Sequence, residues 1–190
     1  MINLESILKK STEFYPKELK KSVFNIVTVG RLTEQKGYDI SIKAAKRLRD
    51  EKVHFKWFAI GDGRDRHKLE KLIKQSDLSN SFILLGRRDN PYPYIKNCDL
   101  YIQFSRHEGY GVSVLEARVL DKPIIVSDLP VFKEQIKNKQ NGIVAHFNED
   151  NLFNSIEELY ENNKLRNKIE TNVLKEKIDF SNQMSKLDYI

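Results

Sequence analysis

Residues 99–128 read Asp-Leu-Tyr-Ile-Gln-Phe-Ser-Arg-His-Glu-Gly-Tyr-Gly-Val-Ser-Val-Leu-Glu-Ala-Arg-Val-Leu-Asp-Lys-Pro-Ile-Ile-Val-Ser-Asp. Two short apolar runs, 99–105 and 123–128, bracket a glycine-bearing turn and a helical stretch, Val112–Leu120. The runs are rich in β-branched and aromatic residues and close on Ser or Asp, the pattern of strands buried on both faces. Strand, loop, helix and strand in this order make one βαβ unit, which joins parallel neighbours through a right-handed crossover.

The same alternation extends in both directions. Further apolar runs lie at 23–30, 54–61, 81–86 and 142–147. Between them, Tyr38–Lys52 places Ile40, Ala44, Ala45 and Leu48 at helical spacing, and Arg64–Gln75 places Leu69, Leu72 and Ile73 on one face. Its lysines Lys68, Lys71 and Lys74 read as a solvated face. A short proline-rich segment, NPYPYIKN at 90–97, precedes the fourth run. Helices are expected at Val131–Lys137 and from Glu149 onward, where Leu152, Ile156 and Leu159 share a stripe; the remainder is helical and strongly charged. The fold expected is α/β: a Rossmann-like, doubly wound parallel sheet of about six strands over residues 23–160. Segments 1–22 and 161–190 flank it, the latter as helices packed on the domain.

Composition bounds the function. A chain of 190 residues is large enough for a core without disulfide or metal staples. Cys98 is its single cysteine, which excludes an internal disulfide and fits a reducing compartment. No run approaches the roughly 20 apolar residues of a membrane span, and the first residues lack the layout of a signal peptide, so a soluble, cytoplasmic protein is expected. The formal charge of +6 favours anionic partners without choosing among phosphorylated ligands, membrane surfaces and nucleic acid.

In doubly wound sheets, ligands bind outside the carboxyl ends of the strands, so the loops that follow strands are where chemistry is sought. After the first run, Gly30 permits a tight exit, and Arg31 and Lys36 bracket a loop ending at Gly37; one offers a fork for phosphate oxygens, the other a point charge. After the second, Gly61-Asp62-Gly63 is a strand-to-helix turn, with Asp62 suited to N-capping. It holds half of a GxGxxG fingerprint and supports dinucleotide binding weakly. After the third, Arg87 and Arg88 reach the same sheet edge. After the fourth, Gly109, Tyr110 and Gly111 lead into a helix beginning near Val112, whose free N–H groups and positive dipole end form a seat for phosphate. Glu108 precedes that helix and Glu116 lies one turn inside it, where side chains lean back toward the N-terminus. Ionised carboxylates only accept hydrogen bonds, which suits sugar hydroxyls.

The stretch Glu108-Gly-Tyr-Gly-Val-Ser-Val-Leu-Glu116-Ala resembles the E-x7-E motif of retaining, two-domain (GT-B) glycosyltransferases of the group 1 type. The loop Gly30-Arg31-Leu to Lys36-Gly37 resembles that family's donor-phosphate loop. Phe58-Ala-Ile-Gly-Asp-Gly63 and Lys122-Pro-Ile-Ile-Val-Ser-Asp128 match in order and spacing, so the likeness covers about residues 23–160. It implies that Arg31, Lys36 and the backbone at Gly109–Val112 bind the diphosphate of a nucleoside-diphosphate sugar. It implies also that Glu108 contacts the transferred sugar, that Glu116 holds the ribose hydroxyls, and that the loop at Arg87 and Arg88 lies near the base. No metal and no cofactor are expected. One departure is Arg118, where a small apolar residue often follows the Glu-Ala pair.

Whole enzymes of this type carry two such domains, so the chain is expected to be the C-terminal, donor-binding half and inactive alone. The acceptor, a sugar or glycolipid, would lie mainly on an N-terminal domain, with peripheral association at the inner membrane. Residues 1–20 resemble the segment after the interdomain linker, and Phe180–Ile190 the final helix that packs back across the first domain. A sugar-nucleotide epimerase of the same architecture is a second reading, since its acid/base groups would come largely from the other half. A phosphorylase would need a pyridoxal-binding lysine context that is not seen. A noncatalytic module binding nucleic acid through its charge is the third, although aromatics are not interleaved with the basic runs as stacking platforms; nucleic acid is not the expected partner.

Overall fold

A computed structural model describes residues 4–176. Six strands form one wholly parallel sheet in the order β3-β2-β1-β4-β5-β6. They are β1 (Phe24–Val29), β2 (Phe55–Ile60), β3 (Phe82–Gly86), β4 (Leu100–Gln103), β5 (Ile124–Ser127) and β6 (Ile143–Ala145). The six apolar runs therefore become the six strands. Successive residues on them are buried against opposite layers, which is why the sequence shows no polar alternation. Ile26, Trp57 and Ile102 face a core with Ile42, Leu48, Leu152 and Ile156, whereas Val27, Phe58, Tyr101 and Val126 face one with Val114, Leu120 and Phe132. Trp57 satisfies its indole N–H on Thr28 Oγ1 at 3.0 Å.

Helices α2 (Tyr38–Asp50), α3 (Arg66–Gln75), α7 (Glu149–Glu161) and α8 (Asn163–Lys175) cover the first layer. The second is covered by α1 (Leu4–Lys10), α4 (Tyr92–Asn97), α5 (Val112–Val119) and α6 (Pro130–Gln135). Ile7 and Leu19 are buried in the second core, and Ile169 and Val173 in the first, so both flanking segments contribute to the domain interior. The expectation for Phe180–Ile190 lies outside the described residues.

Local readings change or sharpen. The proline-rich segment 90–97 is helical over Tyr92–Asn97, Pro91 standing at its start, where a missing N–H costs nothing. The helix placed at Arg64 begins at Arg66, because residues 62–65 first dock on Leu32: Leu32 N–H donates to Asp62 O and Asp65 N–H to Leu32 O, both 3.0 Å. Asp62 is not the N-cap; that position is Asp65, and the Asp62 carboxylate accepts from Gly63 N–H. The helix expected at Val131–Lys137 is α6, Pro130–Gln135, and ends where Asn141 Oδ1 captures Lys137 N–H.

The unusual Arg118 is explained by its surroundings. Its side chain is 7% exposed, and Nη2 donates to Glu176 Oε2 at 2.8 Å; Asn141 Nδ2 donates to the same carboxylate at 2.8 Å. This pair ties α5 to the residue that follows α8. Arg118→Ala is expected to lower stability by about 2–3 kcal/mol in urea unfolding, because among the described residues it removes the one charged partner of a partly buried carboxylate and leaves only Asn141 on it. The double variant Arg118→Met, Glu176→Gln should recover most of that loss, since volume is kept and no charge is left unpaired.

Candidate functional site

The site forms where the sheet order reverses. β1 and β4 are neighbours in space yet lie on opposite sides of the reversal, so the loops after them leave the sheet side by side. The loop after β1 is pinned by Tyr38, whose hydroxyl donates to Gly30 O at 3.0 Å. Gly37 has φ +65°, and a Cβ there would lie 2.2 Å from Phe104 O at the end of β4. A glycine at this position thus lets the two loops touch.

Contact is consolidated by polar bonds. Arg106 N–H donates to Gln35 O at 2.7 Å, and Gln35 Nε2 donates to His107 O at 3.0 Å. The Arg106 guanidinium bonds both carboxylate oxygens of Asp39, at 2.8 and 2.7 Å, and also Glu34 O. Burial pushes the Asp39 carboxyl up, but the hydrogen bonds and charge of Arg106 outweigh it and hold the group below its ordinary value. Across the same seam, Lys36 Nζ donates to both oxygens of Glu108, at 2.5 and 2.8 Å, with the two side chains only 13% and 7% exposed.

Gly111, with φ +61°, turns the chain into α5; Phe132 lies beneath it, and Gln135 Nε2 fixes the preceding turn by donating to Tyr110 O at 2.7 Å. The first N–H groups of α5 have no intrahelical acceptors, and Val112 and Ser113 line the cleft into which the helix opens. Glu116 accepts from the Tyr92 hydroxyl at 2.9 Å. Burial raises its pKa, opposed by that hydrogen bond. Burial, then the charge of Glu116, pushes the Tyr92 phenol up to about 12.

These groups surround an open cleft of about 470 Å³, lined by Gly30, Arg31, Lys36, Glu108, Gly109, Tyr110, Gly111, Val112 and Glu116. Gly61 and Arg87 do not reach it. They line an adjoining recess of about 430 Å³ with Arg88 and Pro91, and the two hollows meet along Val29, Gly30 and Arg31. Among the described residues, neither the Arg31 nor the Arg87 guanidinium has an ion-pair partner; Arg88 reaches Glu18 at 3.8 Å. The residues assigned from the sequence to the donor thus border one of two joined hollows at a single sheet edge, whereas Gly37, Gly63 and Arg118 line neither. Gln35, Ser113 and Tyr92 are lining or contacting residues that the sequence reading passed over. For Tyr92 a signal existed: an aromatic next to Asn90-Pro91, just beyond a strand end.

The sequence profile of the glycosyl transferases group 1 family matches residues 10–176. The chain belongs to the group 1 glycosyltransferases. Among relatives of this family is a Campylobacter jejuni enzyme named N-acetylgalactosamine-N,N'-diacetylbacillosaminyl-diphospho-undecaprenol 4-alpha-N-acetylgalactosaminyltransferase. It is 29% identical over 167 residues, covering 87% of this chain and 44% of that protein. The crystal structure of the C-terminal domain of a group 1 glycosyltransferase from Francisella tularensis superposes with a TM-score of 0.71 at 25% identity, covering 86% of this chain and 93% of that one. The Anabaena protein HepE, crystallised with UDP and glucose, gives 0.74 at 23%, covering 80% and 42%. The six-stranded parallel sheet is thus that of one GT-B domain, in keeping with the C-terminal one. The chain spans half or less of the length of the curated glycosyltransferases set beside it. Among the described residues, no helix is long and apolar enough to cross a membrane.

Proposed function

We propose that this chain is the donor-binding domain of a glycosyltransferase that takes a hexosyl group from a nucleoside-diphosphate sugar, with retention, for polysaccharide or glycolipid synthesis. The observation that carries the reading is the convergence of two cations, two carboxylates and the N-terminus of α5 on one cleft. Arg31, Lys36 and the N–H groups at Gly109–Val112 are assigned to the diphosphate, where positive charge stabilises the departing nucleoside diphosphate. With these cations in place the reading needs no metal. Glu108 is assigned to hydroxyls of the transferred sugar and Glu116 to those of the ribose. The recess at Gly61 and Arg87 takes the base. The Anabaena complex with UDP and glucose, on the same fold, supports a nucleotide-sugar partner. The diphospho-undecaprenol in the Campylobacter relative's name supports a lipid-linked acceptor, held by a part of the protein outside this chain at the membrane surface.

A thermal-shift panel of nucleoside diphosphates and their sugars tests this. At a concentration about a hundred times Kd, a matching nucleotide is expected to raise the melting temperature by roughly 5–10 °C. Lys36→Ala should nearly abolish the shift, and Glu116→Ala should reduce it. If no nucleotide moves the native protein, the donor site is refuted. Salt-dependent RNA binding in its place would favour a nucleic-acid module.

A further inference from the structure

Two carboxylates border the cleft, and they are held in opposite ways. Glu108 lies against a lysine, which satisfies its charge. Glu116 has no cation on it: its one side-chain hydrogen bond among the described residues comes from the Tyr92 hydroxyl. A neutral O–H takes one acceptor position of a carboxylate that has about four. It fixes the group's direction while leaving its charge and its remaining positions to the cleft that Glu116 lines. Tyr92 is itself fixed. Its N–H donates to Asn90 Oδ1 at 3.2 Å, and Asn90 Nδ2 is anchored on Lys10 O at 2.9 Å and Glu13 Oε2 at 2.8 Å. The ring packs against the second core. Such a chain of contacts runs from the segment after α1, through the start of α4, to a carboxylate on α5.

We infer that Tyr92 is a positioning residue: its hydroxyl holds Glu116 in the orientation in which the carboxylate accepts the ribose hydroxyls of the nucleotide. This rests on the donor-site reading above, and adds to it a residue on a different helix that sets how strongly ribose is told from deoxyribose. A carboxylate free to rotate would meet the two hydroxyls in one of several rotamers only. While its O–H donates to Glu116, the phenol oxygen keeps lone pairs that can accept from one of those hydroxyls.

The charged and titratable groups around Glu116 are Tyr92 on α4, Tyr101 on β4, and Arg31, Lys36, Glu108 and Tyr110, which line the same cleft. Accepting from both ribose hydroxyls while the Tyr92 bond is kept needs the ionised form of Glu116, which has acceptor positions on both oxygens and no proton of its own. Burial already raises its pKa, and the Tyr92 bond lowers it. Removing the hydroxyl therefore lets Glu116 protonate at a higher pH, and nucleotide affinity should fall away earlier on acidification.

Isothermal titration of the native chain, Tyr92→Phe and Glu116→Ala with UDP and 2′-deoxy-UDP, from pH 5 to 8, separates the possibilities. The native chain should prefer UDP. Tyr92→Phe should weaken UDP about fivefold, the loss of one hydrogen bond, narrow the preference over 2′-deoxy-UDP, and move the acid limb of binding to higher pH. Glu116→Ala should bind both nucleotides alike. If Tyr92→Phe keeps the native preference and acid limb while Glu116→Ala loses the preference, Tyr92 only fills space and the inference is overturned alone. If Glu116→Ala keeps the preference, or the native chain binds neither nucleotide, the donor-site reading falls and takes the inference with it.

Discussion

Alanine at Gly61 is expected to cost the domain about 3 kcal/mol and to abolish nucleotide binding. The residue sits at the end of β2 with φ +141°, a conformation that side chains rarely adopt. A Cβ there would meet Gly30 O at 2.1 Å and Gly30 C at 2.9 Å. Neither strand end can give way cheaply. Gly61 N–H is bonded to Gly86 O at 3.0 Å, and Gly30 N–H to Ile60 O at 2.9 Å, so a shift breaks the sheet's edge. Any movement that did relieve the clash would displace Gly30 and Arg31, which border both hollows. Gly109 is the control, for a Cβ there meets nothing within 4 Å. Gly109→Ala should change stability by less than about 1 kcal/mol, and any effect it has should appear in ligand approach. Urea unfolding of the two variants, followed by nucleotide thermal shifts, gives the comparison. A native-like midpoint for Gly61→Ala would show that the strand ends are looser than described.

The contrast between these glycines marks how far the sequence could be read. All of Gly30, Gly61, Gly109 and Gly111 were visible as punctuation after strands, and that was enough to place the ligand edge. Which of them is sterically required depends on the end of a neighbouring strand, as Gly61 does on Gly30, and that approach is set by the register of the sheet and not by local sequence. The strands themselves were legible because runs such as Ile26-Val27 and Trp57-Phe58 are buried on both layers, leaving continuous apolar segments bounded by Gly, Ser or Asp. Helix α4 was not legible: in NPYPYIKN the prolines that mark a loop also mark a first helical turn, and six residues are too few to show a period. With α4 unread, Tyr92 had no direction and its bond to Glu116 could not be foreseen. The same limit hid the pairing of Arg106 with Asp39, 67 residues apart. The residue types at the site were readable from spacing. Their partners came from the sheet order, which the sequence implies only as a class.

Among side chains that touch the cleft, the largest binding effect belongs to the pair so created. Lys36 and Glu108 are assigned to different parts of a ligand, yet each is the other's partner. A diphosphate reaching Lys36 competes with Glu108 for the same ammonium, and a sugar hydroxyl reaching Glu108 finds its oxygens already bonded. Lys36→Ala removes a charge-assisted contact to phosphate and leaves Glu108, 7% exposed, as an unpaired anion beside the ligand. Both act in the same direction, and nucleoside-diphosphate affinity is expected to fall about a hundredfold, near 3 kcal/mol. Glu108→Gln has the opposite sign: it frees Lys36 and removes the repulsion, and should tighten a bare nucleoside diphosphate several-fold. It should do less for the corresponding nucleotide sugar, whose hydroxyls lose a charged acceptor. The double variant should bind better than Lys36→Ala alone, because the stranded carboxylate is gone. Titration of the four proteins with UDP closes a double-mutant cycle whose coupling term measures the pair directly. If Glu108→Gln weakened UDP as severely as Lys36→Ala, Glu108 would be holding Lys36 in place for phosphate, and the competition between the two would not exist.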